Sequence, residues 1–167
     1  SDVYKRQLDD SCSVDDFKNF CDKYPDRDIV VYANTSAEVK AMSDWVVTSS
    51  IAIPLVENLA SRGKKIIWAP DKYLGSYIQD QTGVDMIMWD GACVVHEEYK
   101  TIELKKLIQE LGDCEVLVHP ESPRSIIQLA DVVGSTTKLI NASKISKSKN
   151  IIVATEKGIF YQMKKLS

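Results

Sequence analysis

The tripeptide His119-Pro120-Glu121 follows a short apolar run and places an imidazole close to a carboxyl group. Both groups can give or take a proton near neutral pH, so the pair could perform general acid–base catalysis. Burying a histidine and a glutamate at a strand end for packing alone is costly. The tripeptide is nonetheless a weak motif by itself, and a purely structural role stays open.

Cys93 and His96 lie close together in the segment WDGACVVH. A cysteine and a histidine behind a strand could be metal ligands, a nucleophile with its base, or residues without a chemical role. One cysteine cannot hold an iron–sulfur cluster, and no second ligand lies near it in sequence. The other cysteines, Cys12, Cys21 and Cys114, form no CxxC pair. We interpret Cys21 and Cys114 as small buried hydrophobic residues.

Two hydroxyl clusters, Thr48-Ser49-Ser50 and Gly134-Ser135-Thr136, follow short predicted strands. We predict that both clusters begin helices, where hydroxyls commonly serve as N-caps. Hydroxyls and free N–H groups at a helix N-terminus can also bind a phosphate without a lysine. Both roles stay open. The other polar residues at predicted strand ends are Tyr32, Asn34, Asp71, Lys72, Thr155 and Glu156.

These polar positions recur because the chain contains an internal repeat. Residues 30–50 match residues 117–136 at a shift of 87 positions, and residues 65–75 match residues 150–160 at a shift of 85. In both copies, short β-branched runs alternate with amphipathic stretches, a pattern typical of parallel sheets with helices on both faces. We therefore predict an α/β fold of two tandem three-layer α-β-α units with parallel sheets.

The helix boundaries in the first copy have clear signals. Thr35 or Ser36 is the predicted N-cap of its first helix, and Gly63 is the predicted C-terminal cap of the next. The boundary between the units is predicted near residues 90–98. The stretch behind that boundary is amphipathic and places on roughly one side Ile102, Leu104, Leu107, Ile108 and Leu111.

Ligands of parallel α/β sheets bind beyond the carboxyl ends of the strands. The polar residues of both copies are therefore expected to form one site between two related units. The 167-residue chain carries 21 basic and 24 acidic residues in a mixed pattern, which argues against nucleic acid as its main partner. Its sequence has no apolar run long enough to span a bilayer and no signal peptide, so we expect a cytoplasmic protein without membrane partners.

Six segments of the sequence resemble the quinolinate synthase family of the iron–sulfur type. In chain order they are YANTSAEVKAMSDWVVTSS, KKIIWAPDKYLGSYI, MIMWDGACVVHEEY, VLVHPESP, ADVVGST and IIVATEKGIFYQMKK. Their order and spacing cover the chain from residue 8 to its end, so together they are far more specific than any one motif.

The resemblance implies three similar α/β units around a pseudo-threefold axis, of which the first is absent here. It implies condensation of iminoaspartate with dihydroxyacetone phosphate to quinolinate in NAD biosynthesis, a transferase reaction. L-aspartate oxidase would supply the iminoaspartate. A [4Fe–4S] cluster held by three cysteines would act as Lewis acid through its open iron.

The resemblance also implies roles for individual residues. Cys93 is similar to the middle cluster ligand, and His96 and His119 resemble active-site histidines. Glu121 would be their acid–base partner. The residues that resemble substrate contacts are Tyr32, Asn34, Ser49, His119, Glu121, Ser135 and Thr136, with Tyr32 also a catalytic candidate.

The chain departs from the family pattern at its start, because Arg6 stands where the first cluster cysteine is expected. Residues 1–7 match nothing in the family, which leaves residues 8–93 as the second unit and 94–167 as a truncated third unit. We thus expect a fragment that neither holds the cluster nor makes quinolinate. Two rival hypotheses are an anion-binding module that uses the two hydroxyl clusters without catalysis, and a small metal-free enzyme that uses His119 and Glu121 for aldol-type chemistry.

Overall fold

A computed structural model of the chain describes residues 12–91 and 97–154, with side chains described from residue 101 onward in the second range. The chain divides into two compact units, Asp2–Cys93 and Val94–Ser167. Each contains a parallel sheet with alternating helices, which confirms the predicted α/β fold class. None of the helices in the described ranges is both long and apolar enough to cross a membrane.

The N-terminal unit contains a four-stranded parallel sheet in the order β2-β1-β3-β4. Its elements are α1 (Val14–Cys21), β1 (Arg27–Tyr32), α2 (Ala37–Ala41), β2 (Trp45–Val47), α3 (Ala52–Ser61), β3 (Lys65–Ala69), α4 (Lys72–Thr82) and β4 (Met86–Met88). Because successive strand residues point to opposite faces, Val30 faces α3 and α4, whereas Val31 packs with α1 and α2. Helices therefore cover both faces of the sheet.

The C-terminal unit contains a three-stranded parallel sheet in the order β6-β5-β7. Its elements are α5 (Glu97–Leu111), β5 (Cys114–Val118), α6 (Arg124–Ile127), β6 (Val132–Val133), α7 (Thr136–Ile145) and β7 (Asn150–Ala154). Leu104 of α5 and Ile126 of α6 pack on one face of the sheet. Leu139 of α7 packs on the other face, so this unit has the same three layers.

The two sheets repeat one strand register at the shift read from the sequence. Val31 pairs with Val46 in the first unit, and Val118 pairs with Val133 in the second. An aspartate holds the central strand in both units. Asp44 Oδ2 accepts a bond from the backbone N–H of Ile29 at 2.7 Å. In the same way, Asp131 Oδ2 accepts from the N–H of Val116 at 2.8 Å.

Two of the predicted helix caps are confirmed. The Ser36 hydroxyl accepts a bond from the N–H of Val39 and caps α2. Gly63 has a φ of 73° directly behind α3, and its N–H donates to the Ala60 carbonyl. This left-handed conformation favours glycine and ends the helix. Gly63 thus stops α3 as the sequence predicted.

Two local predictions were wrong. The cluster Thr48-Ser49-Ser50 does not begin a helix directly, because α3 starts at Ala52 and its N-cap is Ile51, without a side-chain cap bond. In α5, the buried side contains Leu104 with Ile108 packed against the same core. The apolar residues Ile102, Leu107 and Leu111 are exposed instead. The stripe is narrower than predicted because only one side of α5 faces the sheet.

Candidate functional site

The loop after β1 holds three polar residues of the YANT motif at the carboxyl end of the sheet. Tyr32 is the last residue of β1 and is buried, at 8% exposure. The Asn34 amide donates to the Tyr32 hydroxyl over 3.4 Å, a long hydrogen bond. Thr35 is also 8% exposed, and its hydroxyl has no hydrogen-bond partner within the described ranges. The Thr35 hydroxyl is thus a buried polar group that the described residues leave unsatisfied.

The hydroxyls after β2 lie one short turn before α3. Thr48 and Ser50 bond to each other over 3.0 Å through their side-chain oxygens. The Thr48 carbonyl accepts from the N–H groups of Ile51 and Ala52, so the turn leads directly into the helix. Ser49 is half-buried between them in sequence. The hydroxyls stand near a helix start without capping it.

The polar side chains after β3 mainly stabilise the local backbone conformation. Asp71 is buried and caps α4, accepting bonds from the N–H groups of Tyr73 and Leu74. Its own carbonyl accepts from the buried indole of Trp68 at 2.9 Å. The ammonium group of Lys72 lies 3.1 Å from the carboxylate of exposed Asp90. Asp71 and Lys72 are therefore structural in the first place.

Gly91 ends the described part of the loop after β4 and approaches the loop after β3 very closely. A Cβ atom at this position would lie 2.5 Å from the backbone oxygen of Pro70 and 2.9 Å from the ring of Trp89. Backbone cannot move away as a flexible side chain can, so only glycine fits. The end of this loop at Gly91 is thereby held against the loop after β3.

His119 and Glu121 occupy the carboxyl end of β5 in the C-terminal unit. Their side chains are 8% and 12% exposed, and His119 Nδ1 lies 3.7 Å from Glu121 Oε2. The backbone N–H of Glu121 points at the same nitrogen, His119 Nδ1, over 3.4 Å. From this contact we assign the proton of the neutral ring to Nε2.

Burial lowers the pKa of His119 from 6.5 to about 4. The imidazole is therefore neutral at physiological pH, and its contact with Glu121 is not an ion pair despite the short distance. A neutral histidine with so low a pKa is a weak base. Its Nε2–H is better suited to donate a hydrogen bond, and the Glu121 carboxyl is the group of the pair that could carry a proton.

The second hydroxyl cluster, Gly134-Ser135-Thr136, stands at the start of α7 as predicted. Ser135 is the N-cap residue, yet its side chain makes no cap hydrogen bond. Thr136 is the first residue of the helix and is exposed. A helix start with an unused cap hydroxyl keeps donors available for an anion.

The cysteines within the described ranges do not form a ligand set for an iron–sulfur cluster. No group of three His, Cys, Asp or Glu residues in these ranges could hold a metal ion. Cys12 and Cys21 belong to the core between α1 and the sheet. Burial raises the pKa of Cys12 to about 12 and that of Cys21 to about 11, so both thiols are protonated at neutral pH. Cys114 is half-buried at the opposite, amino end of β5.

Four predicted site residues lie outside the described residues: Cys93, His96, Thr155 and Glu156. Arg6 lies outside them as well. The remaining candidates follow strand ends, Tyr32, Asn34 and Ser49 in one unit and His119, Glu121, Ser135 and Thr136 in the other.

Sequence reasoning gave Thr35 only a capping role and did not select Tyr73 at all. Both carry a buried hydroxyl without a partner in the described part of the chain. The position of Thr35 directly after Asn34 was a signal that could have identified it.

One comparison with known proteins bears on this site. The family model described as NadA, Quinolinate synthetase A protein, matches residues 5–167 of the chain. The match includes both units and every candidate residue described above.

Proposed function

The chain belongs to the quinolinate synthetase A family, and from that premise we propose that it takes part in the condensation of iminoaspartate with dihydroxyacetone phosphate to quinolinate, for NAD biosynthesis. The observation that best supports a catalytic role is the buried pair His119–Glu121 at the carboxyl end of β5. Burying an imidazole beside a carboxyl group costs free energy that an apolar pair would avoid, which favours a functional role for the pair.

This reaction joins two small substrates and loses phosphate and water, so protons must move at several oxygen and nitrogen atoms. Neutral His119 would donate its Nε2–H to a substrate oxygen that gains negative charge or leaves as hydroxide. Glu121, beside it, would carry the proton to or from the substrate. Tyr32 and Asn34 would bind and orient the substrate, and the hydroxyls of Ser49, Ser135 and Thr136 would contact its polar groups.

Two variants of His119, made in the full-length protein and here called the active enzyme, test this division of roles. His119→Gln keeps a neutral N–H donor near the position of Nε2, whereas His119→Ala removes it. We expect the glutamine variant to keep clearly more quinolinate formation than the alanine variant, with iminoaspartate generated during the assay. Equal losses in both would contradict the donor role. A full-length wild-type protein that forms no quinolinate from these substrates would contradict the proposed function itself.

An iron–sulfur cluster is the cofactor that the family resemblance implies, and the described residues do not supply its ligands. We therefore derive no step of the reaction through it and keep Cys93 as a predicted ligand only. In the active enzyme, Cys93→Ser should remove bound iron and acid-labile sulfide, because the thiolate is the ligand. Cys114→Ser is the matched control and should leave both contents unchanged. Full iron content in Cys93→Ser would refute the assignment.

A further inference from the structure

The hydroxyl of Thr35 is a buried polar group that the described residues leave without a use. It lies in the loop after β1 and has no hydrogen-bond partner in the described ranges. Ser36, the next residue, already caps α2 with its own hydroxyl. An unpaired buried hydroxyl costs about as much free energy as a lost hydrogen bond. A valine of the same shape would avoid that cost, so the hydroxyl calls for a partner.

A second buried hydroxyl of this unit is in the same condition. Tyr73 is the second residue of α4, and its phenolic oxygen is buried without a partner in the described part of the chain. Because β1 and β3 are parallel neighbours, the loops that follow them lie at one edge. Elsewhere in this unit the hydroxyl of Thr82 is satisfied, donating to the Ile78 carbonyl at 2.8 Å.

The groups around Thr35 indicate what kind of partner fits. Asn34 contributes an amide donor whose only described bond, to the Tyr32 hydroxyl, is a long one. Neutral hydroxyl and amide donors suit an oxyanion, since each can direct a hydrogen toward an acceptor oxygen. We infer that Thr35 is a further substrate-contacting residue whose hydroxyl donates to an oxyanion of the substrate. This inference rests on the proposed function, and the oxyanion is either a carboxylate of iminoaspartate or the phosphate of dihydroxyacetone phosphate.

The test is Thr35→Val in the active enzyme, with the KM for each substrate measured separately. Losing a hydrogen bond to a charged group should raise one of the two KM values roughly tenfold or more. A rise for iminoaspartate identifies the carboxylate, and a rise for dihydroxyacetone phosphate identifies the phosphate. The thermal unfolding midpoint should stay the same or increase, because the buried hydroxyl is removed without loss of volume. Thr35→Ser keeps the hydroxyl and should restore most of the affinity.

Thr82→Val is the matched control for a structural hydroxyl. It should lower the unfolding midpoint and leave both KM values unchanged. Thr35→Val with both KM values within twofold of wild type would overturn the inference, whatever happens to stability. If Thr35→Val does not fold, Thr35→Ala provides the same comparison of KM values. Wild-type turnover is measured first, so a failure of the proposed function is seen separately, and the inference about Thr35 would fall with it.

Discussion

The N-terminal and C-terminal units pair their strands in one register, and they differ in what they present at the strand ends. In the aligned repeats, Tyr32 at the end of β1 corresponds to His119 directly after β5. Likewise, Asn34 corresponds to Glu121. Tyr32 and Asn34 can bind and orient a substrate but have no group that titrates between acid and neutral pH, whereas His119 and Glu121 contribute an imidazole and a carboxyl group. The repeat thus keeps one backbone frame, and under the proposed function its edge residues would separate substrate binding from proton transfer.

The strand register and the core packing recur in both units because each depends on the other. Asp44 and Asp131 each accept the N–H of a central strand, and Val31 and Val118 each face a buried helix residue. A change at any of these positions affects pairing and packing together. Side chains beyond the strand ends contribute less to that core, so they can differ between copies without loss of the fold.

The largest expected effect is on kcat, and it should distinguish Glu121 from Asn34, the corresponding residue of the first unit. In the active enzyme, Glu121→Gln should lower kcat about a hundredfold to ten-thousandfold, the usual contribution of a general acid–base group. Asn34→Ala should act mainly through a higher KM. Steady-state kinetics on both substrates distinguish the two, and Glu110→Gln on the exposed side of α5 is the control. A Glu121→Gln variant with normal turnover would show that this carboxyl is structural.

His119 should make stability depend on pH in a way that Tyr32 does not. Burial lowers its pKa from 6.5 to about 4, so between those values the unfolded chain binds more protons than the folded one. Stability is therefore complete above about pH 6.5 and declines as the pH falls to about 4, by about 3 kcal/mol in total. Urea unfolding at several pH values measures this decline.

Two variants sharpen the pH experiment. His119→Gln should remove most of the decline between about pH 6.5 and 4, because glutamine does not titrate. Tyr32→Phe, at the corresponding position, should retain it. A His119→Gln protein with an undiminished decline would mean that other groups cause the acid sensitivity.

The two hydroxyl clusters should behave alike if both bind phosphate. Ser49→Ala and Ser135→Ala, made separately, should each raise the KM for dihydroxyacetone phosphate roughly tenfold or more, since each loses a hydrogen bond to a charged group. Thermal unfolding of Ser135→Ala should change little, because the Ser135 side chain makes no cap hydrogen bond at the start of α7. An unchanged KM in one variant would restrict phosphate binding to the other cluster.

The smallest effect concerns the aspartates that hold the central strands. Asp44→Ala and Asp131→Ala should each lower the free energy of unfolding by about 1 kcal/mol, the typical net value of one hydrogen bond. Equal losses of unfolding free energy would support the view that the aspartate stabilises the central strand equally in both units. Glu103→Gln, exposed on α5, should have no effect. A loss at only one aspartate would show that the two units depend differently on this bond.

The sequence by itself determined the repeat, the parallel α/β class and most helix and strand positions. Alternation of short β-branched runs with amphipathic stretches is a local property, so it can be read without coordinates. The shift that aligned Asp44 with Asp131 also predicted a shared strand register. The six quoted motifs identified the family, which the match over residues 5–167 confirms.

Tertiary structure alone decided which polar groups are satisfied and which side of a helix is buried. The sequence placed Leu107 on the apolar stripe of α5, but contact with the sheet is limited to a narrower side, and Leu107 is exposed. It predicted an ordinary acid–base role for His119, whereas burial lowers the pKa of this residue to about 4 and keeps the imidazole neutral at physiological pH. Thr35 looked like a cap, and only the fold shows its hydroxyl buried without a described partner. Burial and hydrogen-bond partners depend on residues distant in the chain, and for that reason local sequence patterns do not determine them.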